Sequence, residues 1–150
     1  MLFDVVMDQK GCLLSPSNII RIAAVLIPNE QDQILCVRKE GTEMFMFPGG
    51  KQELWETPAQ AAIRELEEEL HFELEEEDLD LYGRFQAPAA NEPGFYMDCH
   101  VFSTFDVFLN YTPNVYEELA EAKYFSPKPR SKKLAPLTRD VFEAISSEVR

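Results

Sequence analysis

Three glutamates near the middle of the chain, Glu65, Glu68 and Glu69, have the spacing of a metal-binding surface. On a helix that turns by about 100° per residue, they fall within roughly 100° of one another and share one flank. Such crowding is costly without a cation, because like charges four residues apart repel. Hard divalent ions such as Mg²⁺ and Mn²⁺ prefer oxygen ligands, and magnesium commonly takes one or two carboxylates together with phosphate oxygens. The spacing therefore predicts a Mg²⁺ or Mn²⁺ site on a helix flank that opens onto a cleft.

The segment before these glutamates has the residues of a ligand-binding loop. Gly49 and Gly50 let the backbone adopt angles that other residues resist, so that it can approach a ligand closely. Glu56 stands just ahead of the expected helix, where it is placed to brace the loop or to join the outer shell of a metal. We therefore expect the loop and the glutamate flank to lie together.

The helix that must position the glutamates has clear signals at its start. Thr57 is a favourable N-cap, Pro58 suits the first helical position, and Gln60 completes a capping box. The following residues favour a helix through about residue 70. An apolar stripe beside the acidic flank is expected to enter the core, and it consists of Ala62, Ile63, Leu66 and Leu70.

The rest of the chain alternates between strand-like and loop-like segments. Apolar and β-branched runs predict strands at 19–27, 33–39, 81–86, 96–105 and 123–125, with 107–109 as an extension of the fourth. The turn residues at 28–32 indicate that the first two strands form a hairpin. A final amphipathic helix is predicted at 137–148, and residues 1–18 form an N-terminal extension or an extra strand. A length of 150 residues without repeats predicts a single domain over 1–150.

Composition excludes several classes of function. The formal net charge of -13 argues against binding to DNA or RNA, which requires clustered basic residues. The longest apolar run, 22–27, is far too short to span a membrane. The N-terminus lacks the features of a signal peptide, and the odd number of cysteines (Cys12, Cys36 and Cys99) suits a reducing compartment, so we predict a cytoplasmic protein.

The order of the glycine loop and the glutamates closely resembles the box of the Nudix hydrolases. The matching positions are Gly50, Glu56, Arg64, Glu65, Leu66, Glu68 and Glu69, preceded by the run 47–51. The box covers 50–72, and the surrounding strands extend the resemblance to roughly 19–147. His71 stands where the family usually has glycine, so either this residue takes a left-handed conformation at a cost of about 1 kcal/mol or the helix continues. Trp55 also replaces a frequent glycine, which can alter the shape of the loop.

The resemblance implies roles for the box residues. Glu68 and Glu69 would bind the metal, together with the backbone carbonyl of Gly49. Glu65 would be a further ligand or the base that activates water. Arg64 would orient Glu65 through an ion pair, while Gly50 and Glu56 would support the loop.

Residues outside the box are also candidates. The acidic cluster of Glu117, Glu118 and Glu121 lies where similar proteins carry a further ligand or base, and we name Glu118 as the catalytic candidate. Cations and aromatic rings that are predicted to contact phosphates or to stack on a base are Arg38, Lys51, Trp55, Phe95 and Tyr96.

The family implies an α/β (α+β) fold with a mixed sheet sandwiched between helices. The leading function is metal-dependent hydrolysis of a nucleoside triphosphate or an oxidised nucleotide, which releases nucleoside monophosphate and pyrophosphate. A hydrolase for ADP-ribose or another nucleotide sugar is the alternative, since Pro88 follows the box by sixteen residues, where that subgroup tends to carry proline. A non-catalytic binding module is a third hypothesis, and a metal-dependent isomerase is less favoured. The sequence leaves the monomer and the homodimer open.

Overall fold

The computed structural model describes residues 18–89, 92–104, 109–128 and 131–148. Among them are six strands, two α-helices and one short 3₁₀ turn, in the order β1 (Ile19–Leu26), β2 (Ile34–Lys39), β3 (Gly49–Lys51), α1 (Pro58–Leu70), the 3₁₀ turn (Glu76–Asp78), β4 (Asp80–Pro88), β5 (Tyr96–Ser103), β6 (Leu119–Phe125) and α2 (Pro136–Glu148). Most of the predicted extension 1–18 and the residues 105–108 lie outside the described residues. In the described part, no helix has the length and apolar character that a membrane span requires.

The strands form one mixed sheet and one antiparallel sheet. A four-stranded sheet has the order β3-β1-β5-β4, in which β1 and β5 run parallel, and a two-stranded sheet pairs β2 with β6. The predicted hairpin of β1 and β2 is correct only at its turn, where Leu35 N–H donates to Ile27 O at 3.0 Å. Beyond that turn the prediction is wrong, because both edges of β1 are occupied by β3 and β5.

The short strand β3 is the element that the sequence did not predict. Val25 N–H donates to Pro48 O at 3.0 Å, and the following glycines then pair with β1. Just upstream, Val37 and Met46 exchange two backbone hydrogen bonds of 2.7 and 2.9 Å, which link the two sheets. Backbone hydrogen bonds of residues 45–51 therefore fix the two glycines beside β1, and the strand propensity of their residue type does not.

The core lies in two layers, one on each face of the sheets. On one face, Leu66 and Leu70 of α1 pack with buried residues of β1 and β2 such as Val25 and Val37. On the other face, Phe142 of α2 packs with a second cluster that includes Cys36 and Cys99, which are buried as predicted. This arrangement confirms the predicted mixed sheet between helices.

Helix α1 begins and ends through local contacts. Both halves of the capping box are present, with Gln60 N–H donating to the Thr57 hydroxyl at 3.1 Å and Thr57 N–H donating to the Gln60 side chain at 3.0 Å. At the other end, His71 takes the left-handed conformation (φ 51°, ψ 36°), and its ring stacks on Tyr116 at 3.5 Å. The helix therefore stops at Leu70 despite the missing glycine, because the stacked ring offsets part of the backbone cost.

Candidate functional site

The candidate site lies where α1 crosses the glycine strand β3. Gly49 N–H donates to Glu69 Oε1 at 3.0 Å. A β-carbon on Gly49 would lie 2.0 Å from Ala23 O, and one on Gly50 would lie 2.4 Å from the carboxyl carbon of Glu65. Gly49 is therefore required for the backbone of β3 to fit against β1, whereas a side chain at position 50 would displace the carboxylate of Glu65. We call the flank formed by Glu65, Glu68 and Glu69 the acid flank.

Arg64 joins this flank to the loop of residues 52–57. Its guanidinium binds both oxygens of Glu56 at 2.6 and 2.9 Å, Glu65 Oε1 at 2.9 Å and the carbonyl of Lys51 at 3.1 Å. Glu68 lies farther away, with an oxygen at 3.5 Å. Hydrogen bonding from Arg64 holds the pKa of Glu56 below its usual range. The contact predicted between Arg64 and Glu65 is thus present, and Glu56 is fixed through the same arginine.

Two carboxyl groups of the acid flank are harder to ionise than usual. Burial raises the pKa of Glu69 to about 7, and the hydrogen bond from Gly49 only partly opposes this effect. Burial also raises the pKa of Glu65, against the stabilising contact with Arg64. Glu69 is only 4% exposed, and among the described residues no basic side chain lies within ion-pair distance of it. Within the acid flank, Glu69 is therefore the carboxyl group that no described basic side chain pairs with.

This donor set fits one kind of metal ion. Within the described residues, no three acidic, histidine or cysteine side chains converge into a closed metal site. An ion that needs a full protein cage would therefore find too few ligands. Magnesium and similar hard ions commonly use one or two carboxylates and complete their shell with water and phosphate oxygens. The buried Glu69, beside Glu65 and next to the backbone of Gly49, suits such an ion.

The second acidic cluster divides between two directions. Glu118 is close enough to Glu69 for its charge to add to the raised pKa of that carboxyl. Its carbonyl accepts from Glu40 N–H at 2.9 Å, and its side chain is 70% exposed. Glu121 instead pairs with Arg38 at 2.9 Å. Of the three predicted candidates, Glu117, Glu118 and Glu121, the structure thus brings Glu118 toward the site.

The five residues predicted to contact substrate lie at different places in the fold. Arg38 is bound to Glu121 and to Thr42 O, on the face of β2 opposite Val37. Lys51 meets the site through its carbonyl, while its side chain is exposed. Phe95 and Tyr96 lie at the hairpin end of β5, four residues along that strand from His100, which shares a sheet row with Gly50. Trp55 is 79% exposed on its loop.

Lys39 is a basic residue near the acid flank that the sequence did not single out. Its ammonium lies 3.6 Å from Glu118 Oε1, and its charge partly counteracts the raised pKa values of Glu65 and Glu69. The signal was the alternation along β2, which places position 39 on the same face as Leu35 and Val37.

A second charged group that the sequence did not reveal crosses three strands of the larger sheet. Asp98 on β5 is fully buried and binds Arg84 on β4 at 2.7 and 2.5 Å and Arg21 on β1 at 3.1 Å. Burial opposes ionisation of Asp98, but Arg84 and the other nearby cations hold its pKa below the usual range. We call these three residues the arginine–aspartate cluster.

Comparison with known proteins places this geometry among related molecules. A family profile described as NUDIX domain matches residues 19–144. An 8-oxo-dGTP diphosphatase of Haemophilus influenzae is 47% identical over 72 residues, which cover 45% of this chain and 52% of the relative. The corresponding enzyme of Escherichia coli is 41% identical over 64 residues, covering 37% of this chain and 50% of the relative. The chain thus spans about half the length of the curated relatives it matches.

Solved structures extend the likeness over more of the fold. The MutT protein of Methanosarcina mazei superposes with a TM-score of 0.72 at 22% identity, covering 87% of this chain and 94% of that protein. This similarity concerns the fold, since the sequence identity is low.

Proposed function

The chain belongs to the NUDIX domain family, and we propose that it is a metal-dependent hydrolase that cuts a diphosphate linkage in a nucleoside triphosphate. The observation that carries the proposal is the buried Glu69, which is held by Gly49 N–H at 3.0 Å and carries a charge that no described basic side chain pairs with. A divalent cation would balance this charge and bring substrate phosphates to the same place. Family membership supports the reaction type.

Glu68, Glu69 and the carbonyl of Gly49 would hold Mg²⁺ or Mn²⁺, with magnesium as our choice because the donors are carboxylate and carbonyl oxygens. When bound, the metal supplies charge neutralisation to the diphosphate and to the departing phosphate.

Glu65 accepts the proton of the water that attacks phosphorus in line. Its side chain is 18% exposed, and burial raises its pKa, so it is a stronger base than an exposed glutamate. Arg64 fixes Oε1 of Glu65 at 2.9 Å, and that contact does not use Oε2. Glu118, which is largely exposed and close to Lys39, is the candidate outside the box for a further ligand or base.

An oxidised purine triphosphate is the proposed substrate, because the two relatives from Haemophilus influenzae and Escherichia coli are 8-oxo-dGTP diphosphatases. Hydrolysis would release the nucleoside monophosphate and pyrophosphate. The acidic surface makes a small nucleotide, rather than a nucleic acid polymer, the expected partner. We also propose a cytoplasmic location and a possible homodimer.

The test is a hydrolysis panel with Mg²⁺ and with Mn²⁺. It contains nucleoside triphosphates, 8-oxo-dGTP, ADP-ribose, NADH and dinucleoside polyphosphates, and the products are identified in each case. Wild type should cut 8-oxo-dGTP to monophosphate and pyrophosphate, while Glu69→Gln should lose at least about 100-fold in kcat, because even indirect metal partners cost 10- to 100-fold. The matched control is Glu67→Gln, the same substitution on an exposed face of the same helix.

The products separate the alternatives. Release of AMP and ribose phosphate from ADP-ribose as the best substrate would replace the proposed substrate with a nucleotide sugar. Tight binding of a nucleotide with Mg²⁺, without cleavage of any compound in the panel, would contradict the hydrolase proposal and favour a binding module.

A further inference from the structure

The end of α1 is bound to the segment that precedes β6. Tyr116 N–H donates to the carbonyl of Glu69 at 2.9 Å. The ring of Tyr116 also stacks on the ring of His71, with the centroids 3.5 Å apart and the planes inclined by 7°. These contacts join the same two segments, one through the backbone and one through side chains. The last turn of the helix that carries Glu69 and the segment at Tyr116 are therefore held as one unit.

A turn formed by Glu117 and Glu118 begins at this junction. Leu119 N–H donates to Tyr116 O at 3.2 Å, and this hydrogen bond closes the turn. On the far side, Glu118 O accepts from Glu40 N–H at 2.9 Å, and Leu119 is buried in the core. The turn is thus fixed at both of its ends, by the end of α1 and by the core.

The backbone of this junction is unfavourable by itself. His71 (φ 51°) and Glu117 (φ 57°) both adopt the left-handed conformation, which costs free energy for residues other than glycine. Among the described non-glycine residues, one other has a positive φ, namely Asp32 (φ 59°) in the turn between β1 and β2. Such strain persists only where the surrounding contacts determine it, and it concentrates at functional sites. The stack of His71 on Tyr116 is the contact that lies between the two strained residues of the junction.

We propose that His71 and Tyr116 are positioning residues, whose stack holds the turn so that the carboxylate of Glu118 reaches the acid flank. This inference rests on the proposed function, in which Glu118 is the candidate for a further ligand or base. The side chain of Glu118 is 70% exposed, and the ammonium of Lys39 lies 3.6 Å from it. Because these contacts are loose, the position of Glu118 depends on the backbone that carries it.

A positioning role and a purely structural role predict different results for His71→Gly. Glycine adopts the left-handed conformation without the cost that histidine has, so it offsets the lost stack and should preserve stability. It does not restore the position of the turn, because it has no ring to hold Tyr116. The substitution should therefore lower the rate without lowering the stability, whereas a purely structural stack would leave the rate unchanged.

The experiment measures kcat and KM on the best substrate of the hydrolysis panel, together with the urea midpoint of unfolding. For His71→Gly we expect kcat to fall about tenfold with KM and the urea midpoint unchanged, as for residues that orient a metal ligand. His71→Phe keeps a ring for the stack but fits the left-handed conformation less well. It should keep kcat within about threefold of wild type while its urea midpoint falls. Tyr116→Leu should lose as much rate as His71→Gly, and the double variant should lose no more.

A double-mutant cycle with Glu118→Gln tests whether the stack acts through Glu118. Glu118→Gln alone should lower kcat by at least about tenfold. Adding His71→Gly to it should cause no further loss, because both changes remove the same contribution. The matched control is Asp32→Gly, which places glycine at a left-handed position in the turn between β1 and β2 and should keep kcat.

An unchanged kcat in His71→Gly, or an equal loss of kcat in His71→Phe, would overturn the positioning role. A full further loss from His71→Gly in the Glu118→Gln background would also overturn it, because the stack would then act elsewhere. If Glu69→Gln loses rate and Glu118→Gln does not, this inference fails while the hydrolase proposal stands. If wild type cuts no compound of the panel, both proposals fail.

Discussion

The acid flank and the arginine–aspartate cluster are two charged groups on the same fold with opposite charge balance. In the arginine–aspartate cluster, one buried carboxylate meets two guanidinium groups, each about one-third exposed. In the acid flank, Arg64 binds Glu65 as well as the neighbouring Glu56, whereas Glu69 accepts a hydrogen bond from the backbone amide of Gly49. Accordingly, the pKa of Asp98 is held low, whereas that of Glu69 is raised to about 7. Burial is common to both carboxylates, so it is the unbalanced charge that distinguishes the candidate site.

The comparison also shows how each group is held. The arginine–aspartate cluster depends on side chains from three strands, so its contacts stabilise the sheet directly. The acid flank depends on the close approach of β3 backbone to α1. Changes in the first should mainly affect stability, and changes in the second should mainly affect metal binding and rate.

The largest expected effect comes from Gly49→Ala. The new β-carbon would lie 2.0 Å from the backbone oxygen of Ala23, at a φ of 145° that side chains rarely adopt. Because the clash is with backbone, β3 must move away from β1, and we expect a loss of about 3 kcal/mol in stability and of at least about 100-fold in kcat. Denaturant unfolding and the hydrolysis assay measure the two effects. Gly41→Ala, at an exposed turn with positive φ and open space around the new atom, isolates the backbone cost and should retain the rate.

The next effect is a pH dependence of the metal-free protein. The pKa of Glu69 is about 7 in the folded state, against an ordinary value of 4.5, so between these values the folded protein binds more protons than the unfolded chain. Stability from this group is therefore complete below about pH 4.5 and is lost as pH rises toward 7. The surrounding charges are Glu65 and Glu118, which add to the shift, and Lys39, which opposes it.

Glu69→Gln should remove that dependence. At pH 8 without metal, we expect the variant to be more stable than wild type by about 2–3 kcal/mol, and at pH 4.5 the two should be similar. Urea unfolding across the pH range measures the difference. Adding Mg²⁺ at pH 8 should stabilise wild type more than the variant. If the free energies of unfolding of the two proteins change in parallel with pH, Glu69 is not the group that causes the pH dependence.

Asp98→Asn tests the arginine–aspartate cluster. It leaves two guanidinium groups facing a neutral amide, and we expect a loss of about 2 kcal/mol, below the usual cost of a broken buried pair because both arginines are partly solvated. At neutral pH wild type has the full contribution of Asp98, which is lost only as pH falls through its lowered pKa. Below the unfolding transition, kcat should stay within about threefold of wild type. A loss of rate as large as that of Glu69→Gln would mean that the cluster belongs to the site.

Much of the site was predictable because its signals are local. The capping box of Thr57 and Gln60 fixes the start of α1, and the helical period then aligns Glu65 with Glu69. These two glutamates are four positions apart on one helix, so no knowledge of the tertiary fold is needed. The left-handed end at His71 is one of the two conformations that the sequence allows, and the stack on Tyr116 that supports it joins residues too far apart in sequence to foresee.

The parts that were missed or wrong depend on distant pairing. β3 contains two glycines, which have no strand preference, and it exists because β1 offers an edge. The hairpin of β1 and β2 was wrong beyond its turn, because the choice of β6 as a partner is not written in either segment. Likewise, Asp98 meets Arg84 and Arg21 across 14 and 77 residues of sequence. Strand register decides such contacts, and periodicity within one segment cannot supply it.

The smallest predicted effects come from replacing arginine with lysine, once beside the acid flank and once in the arginine–aspartate cluster. Arg64→Lys keeps a positive charge but loses the fork that binds both oxygens of Glu56 together with Glu65, so the loop and the base lose their fixed orientation. We expect kcat to fall by about tenfold, with a change in stability below about 1 kcal/mol, since the pairs of Arg64 are partly exposed. Arg84→Lys removes a similar fork from Asp98 and should do the reverse, lowering stability by about 1 kcal/mol while leaving the rate nearly unchanged. If both lysine variants lose kcat to the same extent, unpaired carboxylate charge does not distinguish the active site from the arginine–aspartate cluster. If only Arg64→Lys loses kcat, the arginine beside the unpaired carboxylate is the one that contributes to the reaction.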